Sequence, residues 1–466
     1  MTIQAAVDPA ARTYRTVNPA TGEVLHEFAP LDDSEVVASI ERAHDAYLAW
    51  RRTPLSERIA LFRRMASLVE ERGDELARLA TVEMGKLLAI SKGEVSTVAA
   101  IFRYYADNAP ELLADEEVAV PGFSRAFIRR EPVGVVLGIE PWNVPLYQAM
   151  RATIPNLMLG NTVLLKPSEI SAGSTLALDG LFSEAGFPPS VYQTVLLSTA
   201  QASTVIADER VRAVTLTGSD RAGSAVAEQA GRHIKPVVLE LGGSDAFVVL
   251  DSADVAQAAG YAAAYRLAIS GQVCISPKRI IVTEKVADEF TAQFTAAFAA
   301  QKLGDPLDPE TTVGPLSSAA AVELLEAQYQ DAIDKGATVL VAGGRVNGPG
   351  AFFKPAVLTG ITPDMRIYSE EAFGPLGMLY RVPDAEAAIE LANDTKYGLS
   401  GTVFGRDLRE AQRVASAIDT GGVGINGYLG APIEIPFGGT KASGFGRELG
   451  RSGMDQFANI KTYGVA

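Results

Sequence analysis

The sequence predicts an α/β protein built on a doubly wound, Rossmann-type parallel sheet and a second α/β domain. Three features predict it. Between positions 133 and 241 short apolar runs alternate with helical stretches of about 10 to 15 residues, the mark of βαβ units on a sheet covered on both faces. A second alternation of the same kind begins near residue 246. At 466 residues the chain is also too long for one hydrophobic core, so two or three domains are expected.

From the N-terminus, SEVVASIERAHDAYLAW (34–50) reads as a helix. Ser34 stands at the N-cap, and Val36, Val37, Ile40, Ala43, Tyr47 and Trp50 recur at helical spacing. Helical composition continues to about residue 115. SRAFIRREPVG (124–134) and the final ANIKTYGVA are short and extended; they are expected to pair as a small sheet serving assembly. Strands are expected at 133–139, 162–166, 191–197, 212–217 and 236–241. AFVVLDSADVAQAAGYAAAY, RIIVTEKVADEFTAQFTAAFAA, ATVLVAGG, AVLTGI and GTVFG carry the second alternation. The chain thus divides into a nucleotide-type domain (1–116 and 135–244), a second domain (245–445) and an oligomerisation element (117–134 and 446–466). GGVGING matches a dinucleotide fingerprint at Gly422, Gly424 and Gly427. YLGAPIEIP follows where a helix would have to open, so it reads as strand and turn.

The net charge of −15 argues against nucleic acid and anionic membrane as partners. No stretch reaches the roughly 18 apolar residues of a membrane span, and the first 22 residues carry no leader pattern. A single cysteine excludes an internal disulfide framework and suits a reducing compartment, so a cytoplasmic location is expected. Three histidines, His26, His44 and His233, lie far apart, which argues against a metal site or a histidine-based triad.

Ligands of open parallel sheets bind beyond the carboxyl ends of the strands, and polar residues gather there. EPWNVP follows the first of these strands and directs Asn143 to that edge, as an oxyanion donor or as a turn cap. KPSE follows the second; Lys166 and Glu169 suit ribose hydroxyls, or form a surface ion pair. TGSDRAG places Gly218 and Ser219 at a helix start, able to hold phosphate or simply to cap the helix. Glu240, in LELGGSD, interrupts an apolar strand, so it is either paired or raised in pKa, as a general base requires.

EPWNVP, KPSE, TGSDRAG, LELGGSD, GQVC, EEAFGP and PFGGTKASGFGRELG stand in the order found in the aldehyde dehydrogenase superfamily, and the chain resembles that family over its whole length. The 34 residues from Glu240 to Cys274 agree with the family's interval between base and nucleophile. The resemblance implies Cys274 as nucleophile, Asn143 with the Cys274 N–H as oxyanion hole, and Glu240 as the base that activates water. It implies a cofactor site from Trp142, Lys166, Glu169, Gly218, Ser219, Leu241, Glu371 and Phe373. Glu240 favours hydrolysis over transfer to coenzyme A. Glu169 favours NAD over NADP, because a carboxylate accepts from a 2′-hydroxyl and repels a 2′-phosphate. A homodimer or homotetramer is implied as well.

The closest branch in appearance is that of the bacterial succinate-semialdehyde dehydrogenases. There Arg151 matches an arginine that binds the distal carboxylate; on its own it reads equally as half of an ion pair. Tyr428, Ile433 and Phe437 would line the substrate mouth. Some features depart from that branch: Ala268 stands where a second arginine is usual, Ile269 and Ser270 replace polar or small residues, and Glu434 would repel an anion if it pointed inward. An uncharged aromatic or medium-chain aldehyde is the alternative substrate, and a catalytically inactive binding or structural relative is the alternative class.

Overall fold

The computed structural model describes residues 14–466. Residues 1–13, part of the stretch read above as leaderless and as the start of the first domain, lie outside the described residues. Helices Asp33–Trp50, Leu55–Glu71, Gly73–Met84 and Leu88–Leu112 open the fold. The first begins one residue earlier than expected. Its cap is Asp32, which accepts the Glu35 N–H, while Ser34 donates its hydroxyl to Asp32. A carboxylate placed before the first turn is the stronger acceptor and also complements the helix dipole.

Six strands form the first sheet in the order Gly444–Phe445, Val237–Glu240, Val211–Thr217, Val135–Ile139, Thr162–Lys166 and Tyr192–Thr194. All run parallel except Gly444–Phe445, which pairs antiparallel with Leu239 and Glu240. The order reverses between Val135–Ile139 and Val211–Thr217, which is where a doubly wound sheet opens a crevice. Trp50, Phe62, Phe102, Phe182 and Phe187 pack against one face, each ring worth about 1.5 to 3 kcal/mol of burial.

The second sheet has seven strands: Thr338–Val341, Ala356–Thr359, Leu376–Val382, Pro277–Thr283, Asp245–Val249, Ser400–Phe404 and Gly422–Ile425. Only the first of these is antiparallel to its neighbour. The glycine-rich GGVGING supplies the edge strand Gly422–Ile425 and no helix start, because Asn426 turns the chain by accepting the Gly405 N–H. In a third sheet Ala458–Val465 pairs with Arg125–Pro132 in continuous antiparallel register, and Glu116–Glu117 adds a short third strand. Phe127 stacks on Tyr463 at 4.7 Å across that register. No helix among the described residues is long and apolar enough to cross a membrane.

Candidate active site

A cavity of about 420 Å³ opens between the two large sheets. One wall comes from turns after strands of the first sheet: Trp142 and Asn143 after Ile139, Gly218 and Ser219 after Thr217, and Leu241 after Glu240. The other comes from loops that enter strands of the second: Cys274 before Pro277, Glu371 and Phe373 before Leu376, and Tyr397 before Ser400. The carboxyl edge of one sheet thus faces the amino edge of the other.

The wall that carries Asn143 is fixed from below. Val144 precedes helix Pro145–Leu159 without a side-chain cap among the described residues, and Glu94 accepts the free Leu146 and Tyr147 N–H groups of the first turn at 2.7 and 2.9 Å. The Lys86 ammonium pairs with the other oxygen of this buried carboxylate. Asn143 is itself buried and donates from Nδ2 to the Gln272 carbonyl at 3.1 Å, which ties the amide to the loop that carries Cys274.

That loop has an unusual backbone. Ile269, Ser270 and Gly271 take positive φ of 52°, 54° and 75° in succession. Left-handed backbone at a side chain such as Ile269 costs about 1 to 2 kcal/mol, and surrounding bonds hold it. Ser270 donates to the Gly314 carbonyl at 2.9 Å, Gln272 accepts the Ser317 N–H at 2.9 Å, and Arg266 reaches the Gly271, Ala372 and Leu376 carbonyls. At Gly271 a Cβ would strike the Gly374 backbone, so no other residue fits. The turn delivers Cys274 to the cavity wall, part-buried.

Burial pushes the Cys274 thiol up to about 12; Arg151 and Lys278 work against the rise, while Glu371 and Asp245 add to it. The resting group is therefore a thiol. Glu240 is 2% exposed, and neither of its oxygens accepts a hydrogen bond among the described residues. Burial first, and then the neighbouring Glu448, raise its pKa well above the carboxylate range, against the pull of Arg151 and Arg447. Its neutral form dominates at low pH, and its ionised form is a strong proton acceptor.

On the cofactor side, Ser219 caps helix Asp220–Arg232 by accepting the Ala222 N–H at 3.3 Å, and Leu241 packs against Gly223 of the same helix. Glu371 accepts the Gly243 N–H at 3.2 Å and faces Lys278 at 3.0 Å. Trp142 and Phe373 meet edge to face at 5.8 Å. Lys166 and Glu169 lie 3.6 Å apart at the end of Thr162–Lys166, outside the cavity wall.

On the substrate side the structure departs from the carboxylate-clamp expectation. Arg151 is 2% exposed and ion-paired with Glu448; it also donates to Thr217 at 3.2 Å and lies over the Phe437 ring at 4.8 Å. Burial alone would lower its pKa, but Glu448, Tyr147, Glu240 and Glu140 hold it above the usual value. Tyr428 donates to the Ile275 carbonyl at 2.8 Å and stacks on Tyr265 at 3.9 Å, with Ile433 packed on the same cluster as Cys274. Glu434 is exposed.

Three residues beneath the site escaped the sequence reading. Glu448 and Glu140 sit inside two of the quoted motifs, and Lys278 is one of two cations just after the cysteine. None of them has a place in that reading, and the fold shows all three buried.

The architecture and this cleft are those of an enzyme that handles small aldehydes. The aldehyde dehydrogenase family pattern matches residues 6–463, and the chain belongs to that family; it is an oxidoreductase. It is 51% identical over 460 residues to the NADP(+) succinate-semialdehyde dehydrogenase of Deinococcus radiodurans, over 99% of this chain and 96% of that one. It is 44% identical to the protein of the same name from Mycobacterium avium, over 96% of this chain and 95% of that one. The crystal structure of succinic semialdehyde dehydrogenase from Streptococcus pyogenes with NADP+ superposes with a TM-score of 0.95 at 42% identity, over 97% of this chain and 99% of that one.

These relatives overturn the expectation of NAD drawn from Glu169, because all three are named for, or bound to, NADP. The physical reason is at hand. Glu169 is not an isolated carboxylate, since the Lys166 ammonium stands 3.6 Å from it and offsets the charge that was expected to repel a 2′-phosphate.

Proposed function

We propose that this chain oxidises succinic semialdehyde to succinate with NADP, through a thioester on Cys274 that is hydrolysed and not passed to coenzyme A. One observation carries the reading. Cys274 and a buried Glu240, without a hydrogen-bond partner among the described residues, face one cavity, in a chain 51% identical along its length to a succinate-semialdehyde dehydrogenase.

The cavity fits a nicotinamide dinucleotide on its own terms. Ser219 opens a 13-residue helix at its wall, and the Glu371 carboxylate is held beside it by Gly243 and Lys278. Gly218, Ser219 and Leu241 would hold the pyrophosphate end, Glu371 and Phe373 the nicotinamide end, and Lys166 the adenosine side. When bound, the nicotinamide supplies the hydride acceptor.

The chain's own residues supply the rest. The Cys274 sulfur, once deprotonated, bonds to the aldehyde carbon, and the charge that appears on oxygen is met by Asn143 Nδ2–H and the Cys274 N–H. Oxidation of that carbon leaves an acyl group on sulfur. Glu240 then takes a proton from water as the water oxygen attacks; the C–S bond breaks and the acid departs.

A second reading has its own support. The Arg151–Glu448 pair neutralises the expected clamp, and Tyr428, stacked on Tyr265, packs in the same cluster as Cys274, apolar surroundings that suit an uncharged aldehyde. Initial rates of NADPH formation with succinic semialdehyde, butanal and benzaldehyde at matched concentrations decide between them. The first reading expects kcat/KM for succinic semialdehyde to lead by about tenfold or more, the worth of one good charge-assisted contact. A lead for either uncharged aldehyde would refute it.

A further inference from the structure

Lys278 is the second residue of the central strand Pro277–Thr283, four positions after Cys274, and its side chain is fully buried. Its ammonium folds back under the nucleophile loop. It donates to the Cys274 carbonyl at 2.7 Å and the Val273 carbonyl at 3.0 Å, with the Ser276 carbonyl further off at 3.4 Å. Glu371 Oε1 stands 3.0 Å away. An ammonium has three hydrogens. The three shortest contacts use them on two carbonyls of the nucleophile loop and one carboxylate of the cofactor wall.

Glu371 is held from the other side by the Gly243 N–H at 3.2 Å, and it packs against the bare Cα of Gly242. It therefore has little freedom except along the line between Lys278 and the cavity. A fully buried ammonium needs a counter-charge, and here the carboxylate that supplies it, Glu371, belongs to the cavity wall.

We propose that Lys278 is a positioning residue that couples cofactor binding to the reactivity of Cys274, one ammonium holding both the ribose-facing carboxylate and the nucleophile loop. The proposal rests on the reading above of Cys274 as nucleophile and Glu371 as a cofactor contact. When sugar hydroxyls donate to Glu371, its charge is shared with them and less of it remains to offset Lys278. The positive field at the sulfur then rises, and the thiolate forms more readily. By linkage the coupling is mutual: a thiolate at Cys274 favours the cofactor-bound state.

The other charged and titratable groups acting on the sulfur are Arg151 from helix Pro145–Leu159 and Asp245 at the start of its strand, with Tyr147 and Tyr428 close by. Arg151 is neutralised by Glu448, whereas Lys278 is neutralised by a group that the cofactor engages.

Cys274 is the only cysteine in the chain, so iodoacetamide alkylation read as loss of free thiol reports on it alone. Alkylation rates from pH 7 to 10 would be compared for the full-length protein, Lys278→Met and Glu371→Gln, each with and without NADP. At pH 8, Lys278→Met is expected to react about tenfold more slowly, the effect of a one-unit rise in thiol pKa on a mostly protonated thiol. Glu371→Gln is expected to react faster than wild type, and neither variant should retain the acceleration that NADP gives the wild type. The KM for NADP should rise several-fold in both.

A lysine with a merely structural part would lower the melting temperature and leave the alkylation rate in place. A folded Lys278→Met with the wild-type pH profile and NADP response would overturn the proposal. Should that variant fail to fold, Glu371→Gln decides alone, and an alkylation rate unchanged from wild type would refute the coupling. Wild-type turnover of aldehydes is measured separately, so a failure of the aldehyde reading and a failure of the coupling give different results.

Discussion

Glu240 is the buried side chain from which the proposed reaction should take its pH dependence. Burial and the nearby Glu448 raise its pKa, so its carboxylate is ionised only above that raised value. Hydrolysis of the acyl enzyme should therefore fail as pH falls through it, at a pH well above that of an ordinary glutamate. A pH–rate profile of steady-state turnover, set against single-turnover NADPH formation, checks this. The acidic limb belongs to the steady state and should be weaker in the single turnover.

At this scale the sequence pointed to candidate groups that do line one cavity, and was poor about their surroundings. Glu240 is conspicuous as a carboxylate in an apolar strand, whereas Cys274 and Asn143 gain their candidate roles from the order and spacing of the family motifs around them. Arg151 and Glu448 do not stand out, since an arginine on a helix and a glutamate in a loop look alike whether exposed or buried. Their pairing depends on the chain folding the C-terminal RELG segment back over helix Pro145–Leu159, a contact between residues almost 300 positions apart.

Among the elements, the loop between helix Val255–Leu267 and strand Pro277–Thr283 governs the site most directly. Three left-handed residues in succession redirect the chain so that Cys274 meets the cavity, and the Gly374 backbone blocks any Cβ at Gly271. Gly271→Ala should displace the loop. We expect kcat to fall at least a hundredfold, because displacement of the nucleophile by about 1 Å costs that much. Far-ultraviolet circular dichroism should remain that of the wild type, since neither large sheet depends on this residue. The strands and helices were readable from periodicity, but this turn was not. Ile269 and Ser270 are not residues that favour positive φ, and they hold it only because Ser270, Gln272 and Arg266 find partners elsewhere in the fold.

For the whole molecule, the meeting of two sheet edges requires titratable groups to be buried where they meet, and this has a thermodynamic signature. Asp245 begins a strand of the second sheet, accepts the Ser400 N–H at 3.1 Å, and is pushed up to about 8 by burial, with Lys278 opposing. Its folded-state pKa thus lies above the unfolded value near 3.8. Between those two values the unfolded chain releases a proton that the folded chain keeps, so stability falls as pH rises from about 4 to 8. Asp245→Asn keeps the acceptor for Ser400 and removes the ionisation. Urea midpoints measured across that range should decline less steeply for the variant than for the wild type. The two-sheet architecture was evident from the two alternations in the chain. The antiparallel return of Gly444–Phe445 onto the first sheet was not, because two residues carry no readable periodicity.

The acyl-enzyme route is tested most directly by mass spectrometry of Glu240→Gln mixed with NADP and succinic semialdehyde. If Cys274 carries the acyl group and Glu240 activates the water that removes it, the variant should form about one NADPH per subunit in a burst. The tryptic peptide that holds Cys274 should then gain the mass of a succinyl group. Undiminished steady turnover, or an unmodified Cys274 peptide after the burst, would rule out Glu240 as the base or Cys274 as the acyl carrier.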